Sequence, residues 1–201
     1  MIFITGMTRS GTSILTYFFL VSDLVTGFEP RIESFKKQLT LNDGVIRAYA
    51  LRGGLEAFQV MRNKIARGDN FDVLKQPWLT LEVKRPPAYW LDKYHIKPDT
   101  VIITKRDITS LVESNLAAAR SRKPIRLKPD ELGELYRYRY KLLEQKFPAA
   151  IWLEFPRFID DFEYLWGRIG HLVPNEKEEM KVKFTEVANA KYVRYREKSN
   201  E

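Results

Sequence analysis

The sequence predicts an α/β domain in three layers: a mostly parallel central sheet of about five strands, with helices on both faces. Three features predict it. Short apolar β-type runs alternate with longer helical stretches, the pattern of parallel strands joined by crossover helices. The chain opens directly on an apolar strand, Ile2-Phe3-Ile4-Thr5, followed by a glycine-bearing turn and then a helix. Thr100-Val101-Ile102-Ile103-Thr104 is a continuous β-branched run between Pro98-Asp99 and Lys105-Arg106-Asp107, as a strand buried on both faces requires.

In chain order, Thr12 to Ser22 reads as a buried helix and Leu24 to Phe28 as a second strand. Asp43 caps a helix reaching about Leu51, which Arg52-Gly53-Gly54 breaks. Leu55, Phe58, Met61 and Ile65 recur at helical spacing as core contacts. Phe71 to Lys75 is the third strand, and Pro86-Pro87 marks an irregular crossing before Tyr89 to Tyr94. After Thr100–Thr104 comes a helix from about Ile108 to Arg120. Pro129-Asp130-Glu131 starts a long helix, with proline near its first position, that ends before Pro148. Ala150 to Leu153 is the fifth strand, and Phe158 to Leu172 an amphipathic helix. Residues 1–201 thus form one domain, with a core over 1–172 and a charged, partly helical segment over 173–201.

Composition narrows the function classes. The 201 residues are 44% hydrophobic and 30% charged, so the chain can build one core without a metal or disulfide. There is no cysteine, which removes disulfide scaffolds, thiol nucleophiles and thiolate metal sites. His95 and His171 are far apart in sequence and lack local partners, so no metal site is expected. The longest early apolar run, Ile14 to Val21, is too short to span a bilayer, and no basic segment precedes it. A soluble cytoplasmic protein is therefore the expectation. The net charge of +8 is shared evenly by the two halves of the chain. Its one dense patch, Arg120, Arg122, Lys123, Arg126 and Lys128, fits a solvated loop, a lid over an anionic ligand or a nucleic-acid contact. No recognised nucleic-acid motif accompanies it, so no nucleic-acid partner is expected.

The strongest local signal is Gly6-Met7-Thr8-Arg9-Ser10-Gly11-Thr12-Ser13, set between a strand and a helix. Two glycines five apart let backbone N–H groups curl around an anion, and the helix N-terminus adds about half a positive charge. Hydroxyls of Ser10, Thr12 and Ser13 are further donors. The turn reads as a relative of the P-loop. A loop that serves nucleoside triphosphates carries Lys after its second glycine; here that position is Thr12, and Arg9 supplies a cation inside the loop instead.

Arg106 leaves Thr100–Thr104 at its carboxyl edge, where doubly wound sheets bind ligands, and Ser114 follows eight residues later, two turns up the next helix. Together they form a candidate second phosphate clamp. This pair of motifs resembles the sulfotransferase family, P-loop-like enzymes that use 3′-phosphoadenosine-5′-phosphosulfate. The similarity extends to Phe28-Glu29-Pro30, Leu74-Lys75-Gln76-Pro77 and Ile151-Trp152-Leu153-Glu154-Phe155, and covers about residues 1–172.

The resemblance implies a cofactor site of Arg9, Ser10, Gly11, Thr12 and Ser13 around the 5′-phosphosulfate, with Arg106 and Ser114 on the 3′-phosphate. It implies catalytic roles for Arg9 near the bridging oxygen, Lys75 facing the sulfuryl group and Glu29 as the base, with Glu33 as its rival. The acceptor would be a hydroxyl or amine of a carbohydrate, peptide or small metabolite, and no metal is needed. Two departures separate the chain from the cytosolic small-molecule branch. No histidine follows the third strand, and the late Arg-Lys-Gly element is missing, so similarity is nearer the carbohydrate- and tyrosine-modifying branches. Lys191, Arg194 and Arg196 read as solvating a terminal helix. The alternatives are a P-loop kinase or nucleotidase and a non-catalytic nucleotide-binding module. Tyr136, Tyr138 and Tyr140, alternating with Arg137 and Arg139, fit either helix packing or an aromatic–cationic platform.

Overall fold

A computed structural model describes residues 1–22, 24, 73–78, 86–93, 95–119 and 127–197. Four strands form one parallel sheet among these residues: β1 (Ile2–Met7), β2 (Val73–Trp78), β3 (Thr100–Arg106) and β4 (Ile151–Phe155), in the order β2-β1-β3-β4. The helices are α1 (Thr12–Leu20), α2 (Pro87–Lys93), α3 (Ile108–Ala119), α4 (Pro129–Lys146), α5 (Arg157–Asp160), α6 (Phe162–Ile169) and α7 (Lys177–Glu197), with a 3₁₀ turn over Gly170–Leu172. The fold is the expected three-layer α/β arrangement. Residues 25–28, most of the expected second strand, and both helices expected between residues 43 and 65 lie outside the described residues, as do Glu29, Glu33 and 120–126 of the basic patch.

Strand alternation sorts the core onto the two faces of the sheet. Ile2 and Ile4 of β1, Val73, Ile102 and Leu153 pack against α1, α6 and α7. Phe3 and Leu74 face Leu91 and Ile96, while Met7, Trp78 and Ile103 meet Leu111, Val112, Leu132, Tyr136 and Tyr140 of α3 and α4. Helix α1 is apolar nearly all round because it is covered on both sides, by the sheet and by α7. Phe18 of α1 meets Phe184 of α7 edge-on, ring centroids 5.6 Å apart. The charged C-terminal segment thus contributes Met180, Phe184, Val187 and Ala188 to the same core as β1.

Three local readings shift. The strand expected at Phe71 to Lys75 runs through Trp78, with Pro77 paired to Gly6. Consequently Lys75 lies within the strand rather than at its end. The crossing after Pro86 is a helix, α2. The single helix expected over Phe158 to Leu172 is broken at Asp161, whose non-helical backbone and side chain, accepting the Tyr164 N–H at 2.9 Å, restart it as α6.

The topology fixes where a ligand crevice opens. The chain leaves β1 through α1 on one face and leaves β3 through α3 and α4 on the other. Adjacent strands whose connections depart to opposite faces leave a gap at their carboxyl ends. The turn after β1 and Arg106 at the end of β3 border that gap.

Candidate functional site

The turn after β1 is held from three directions. Thr8 donates its N–H and its hydroxyl to the Trp78 carbonyl of β2, at 3.2 and 3.1 Å. Asn115 of α3 donates from Nδ2 to the Thr8 carbonyl at 3.1 Å. Ser10 donates its N–H to Met7 O at 3.1 Å and its hydroxyl to the same carbonyl at 2.6 Å. The turn is therefore pinned to β2, to the end of β1 and to the helix of the opposite layer.

Its backbone takes left-handed values at Arg9 (φ 76) and Gly11 (φ 91). For arginine this conformation costs about 1–2 kcal/mol, and the packed surroundings hold it. Gly11 cannot be replaced cheaply, because a β-carbon there would run into the rings of Phe155 and Phe158. As the N-cap of α1, Gly11 also has no side chain to satisfy the first-turn donors. The first helical bond is Leu15 N–H to Gly11 O at 3.1 Å, so the N–H groups of Thr12, Ser13 and Ile14 have no partner within the helix. Donors of this kind at the positive end of the helix dipole suit an anion.

The expected site residues fall into two groups. Lys75, 62 residues from Ser13 in sequence, projects from β2 onto the α1 face and donates from Nζ to Ser13 Oγ at 2.9 Å. It is only 5% exposed, and burial pulls its ammonium down to about 8. On the other flank, Arg9 Nε donates to Ser114 Oγ at 3.2 Å, and Arg106 Nη1 donates to the Arg9 carbonyl at 3.2 Å. The two clamps read separately from the sequence thus meet at one residue, Arg9. Arg106 also lies over the Phe155 ring, 5.2 Å from its centroid.

Ser10 takes a different part from the one expected of it. Its hydroxyl is fully buried and turned away from the turn's outer surface, bonded to Met7 O and lying 2.7 Å from Thr104 Oγ1. It braces the turn against β3. Thr12 is buried as well, while Ser13 and Gly11 are partly open.

The tyrosine series on α4 resolves towards packing. Tyr136, Arg139 and Tyr140 are buried, and Arg139 lies over the Trp78 ring, 4.7 Å from its centroid. Tyr138 faces outward. Helical spacing explains this: residues 136, 139 and 140 share a face that 138 does not.

Asn115, Thr104, Tyr140 and Phe155 support the site but were not singled out for it from the sequence. Only Asn115 carried a local signal, as an amide side chain in the middle of a helix beside Ser114. Among the described residues no cluster of His, Asp or Glu side chains is arranged to hold a metal ion, and no helix is long and apolar enough to cross a membrane. Comparison with known proteins gives no match, whether to family models, curated proteins or solved structures.

Proposed function

We propose that this protein is a sulfotransferase that takes 3′-phosphoadenosine-5′-phosphosulfate as co-substrate and modifies a hydroxyl or amine of a carbohydrate, peptide or small metabolite. One observation carries the reading: Arg9 and Arg106 meet at the carboxyl ends of β1 and β3, Ser114 joins them through Arg9, and Lys75 reaches Ser13 in the first turn of α1 from within β2. Three cations beside unpaired helix N–H groups match a ligand with two separate phosphate positions better than a single monoanion.

The donor set fits that group. First-turn amides of α1, with the Thr12 and Ser13 hydroxyls, suit the 5′-phosphate side. Arg106 and Ser114 suit a 3′-phosphate, the feature that separates this nucleotide from ATP. When bound, the nucleotide supplies an activated sulfuryl group and a bisphosphate leaving group.

The protein's own contribution is electrostatic and positional. Lys75 and Arg9 flank the end of the turn, where they stabilise negative charge that grows on a phosphate oxygen. The low-dielectric setting that lowers the Lys75 pKa also strengthens its attraction for an anion, and an anion in turn raises that pKa again. Ser13, bonded to Lys75 Nζ, orients that ammonium towards the helix N-terminus. Glu29, with Glu33 as its rival, is the proposed acceptor of the proton from the attacking hydroxyl or amine.

Calorimetric titration with 3′-phosphoadenosine-5′-phosphate, ADP and ATP, each with and without Mg²⁺, tests the proposal. Preference for the 3′-phosphorylated nucleotide, independent of Mg²⁺, is expected. A Mg²⁺-dependent preference for ATP would replace it with a kinase reading, and failure to bind any of the three would remove a nucleotide from the account. If binding holds, loss of sulfuryl transfer with unchanged nucleotide affinity in Glu29→Gln separates an enzyme from a binding module.

A further inference from the structure

We propose that Tyr140 is a positioning residue for Arg106, and that its hydroxyl sets the preference for a 3′-phosphorylated nucleotide without touching the ligand. Pairing of β1 with β3 stops at Gly6 and Thr104, two residues short of Arg106, because the chain turns away after Met7. Beyond that point the Tyr140 hydroxyl from α4 takes the place of a strand. It accepts the Arg106 N–H at 3.3 Å and reaches the Thr104 carbonyl at 3.5 Å. Thr104 in turn lies 2.7 Å from the Ser10 hydroxyl, which bonds to Met7 O. A buried set of hydroxyls therefore links α4, the end of β3 and the turn after β1.

The consequence is positional. Arg106 is the last residue of β3, and its guanidinium reaches across to the Arg9 carbonyl. A side chain at the end of a strand is only as well placed as the backbone that carries it, and pairing with β4 holds one edge of that backbone. Tyr140 holds it on the side that β1 has left. The ring is 6% exposed and packs against Trp152, centroids 6.1 Å apart, so the hydroxyl is delivered from a rigid element. Burial pushes the phenol up to about 12, so it stays protonated across the ordinary assay range and keeps both its donor and its acceptor role.

The inference rests on the proposed function for its ligand, and Tyr140→Phe tests it. The ring contact with Trp152 is retained and only the hydroxyl is lost. Wild type, Tyr140→Phe, Arg106→Ala and the double variant are titrated with 3′-phosphoadenosine-5′-phosphate and with AMP, and exchange of the Arg106 amide is followed by NMR without nucleotide. One lost buried hydrogen bond is worth about three- to tenfold in affinity. The expected result is that loss for the bisphosphate, less than about twofold for AMP, no further loss when Tyr140→Phe is added to Arg106→Ala, and faster exchange at Arg106. Equal losses for both nucleotides, or a loss additive with Arg106→Ala, would overturn the proposal. If wild type does not prefer the bisphosphate, the sulfotransferase reading and the claim about nucleotide preference both fall. Unchanged Arg106 exchange in Tyr140→Phe would overturn the positional part by itself.

Discussion

Lys75→Met should make the protein more stable at pH 7 and lose that advantage as pH rises. Lys75 is nearly fully buried and its pKa is lowered from 10.5 to about 8. The folded state therefore prefers the neutral amine. Below pH 8 both folded and unfolded chains hold the proton, and folding carries the full cost, about 3 kcal/mol for a shift of this size. Between about pH 8 and 10.5 the unfolded chain binds more protons than the folded one, so stability rises with pH. At pH 9.5 the remaining cost is about 1 kcal/mol. Methionine fills the same space without a charge but gives up the bond to Ser13, worth about 1 kcal/mol. The variant should gain about 2 kcal/mol over wild type at pH 7 and almost nothing at pH 9.5. Urea unfolding of both proteins at the two pH values measures this. A gap that does not narrow with pH, or a variant less stable at pH 7, would refute the account of Lys75 as a buried cation held at a cost. A site that stores such a cost fits the proposed role, since an anion beside Lys75 would recover it.

Three further outcomes follow from the geometry. Gly11→Ala should cost about 2 kcal/mol or more, from its left-handed backbone and the collision with Phe155 and Phe158. Gly167→Ala on α6, where a β-carbon meets nothing, should instead gain about 0.5–1 kcal/mol; thermal unfolding that reverses this order would contradict the packing at the turn. Phe184→Ala should cost about 3–5 kcal/mol by denaturant unfolding, because it empties the contact between α7 and Phe18. A loss below about 1 kcal/mol would mean that α7 is not part of the core. Under the proposed function, Arg106→Ala should weaken 3′-phosphoadenosine-5′-phosphate by about tenfold or more and AMP by less than about threefold, a range typical of a lost charge-assisted bond. Equal losses in titration would remove the 3′-phosphate assignment.

Much of this arrangement is legible in the chain because it is local. The strand–turn–helix of residues 2–20 announces itself through an apolar run, two glycines and an apolar helix. Pro129 and the acidic first turn mark the start of α4 in the same way. The β-branched run at 100–104 fixes β3, and with it the position of Arg106. Where the sequence misled, a tertiary effect intervened. The strand expected to stop at Lys75 runs on through Pro77 to Trp78, whose carbonyl takes both donors of Thr8 in the remote turn. The charge of α7 concealed four apolar residues that cover α1.

Sequence alone determined that the turn after β1 would leave backbone N–H donors open at the start of α1, since glycine spacing and a following helix are properties of adjacent residues. The tertiary structure decided what surrounds that turn. Lys75 meets Ser13 across 62 residues, Arg9 meets Ser114 across 105, and Asn115 reaches Thr8 across 107. These contacts depend on strand order, and no pattern within one segment encodes which strands become neighbours. The same holds for the inward turn of Ser10 and for Tyr140 beneath Arg106. Each hydroxyl goes where the sheet leaves a buried polar group to satisfy, and that place exists only once the strands have paired.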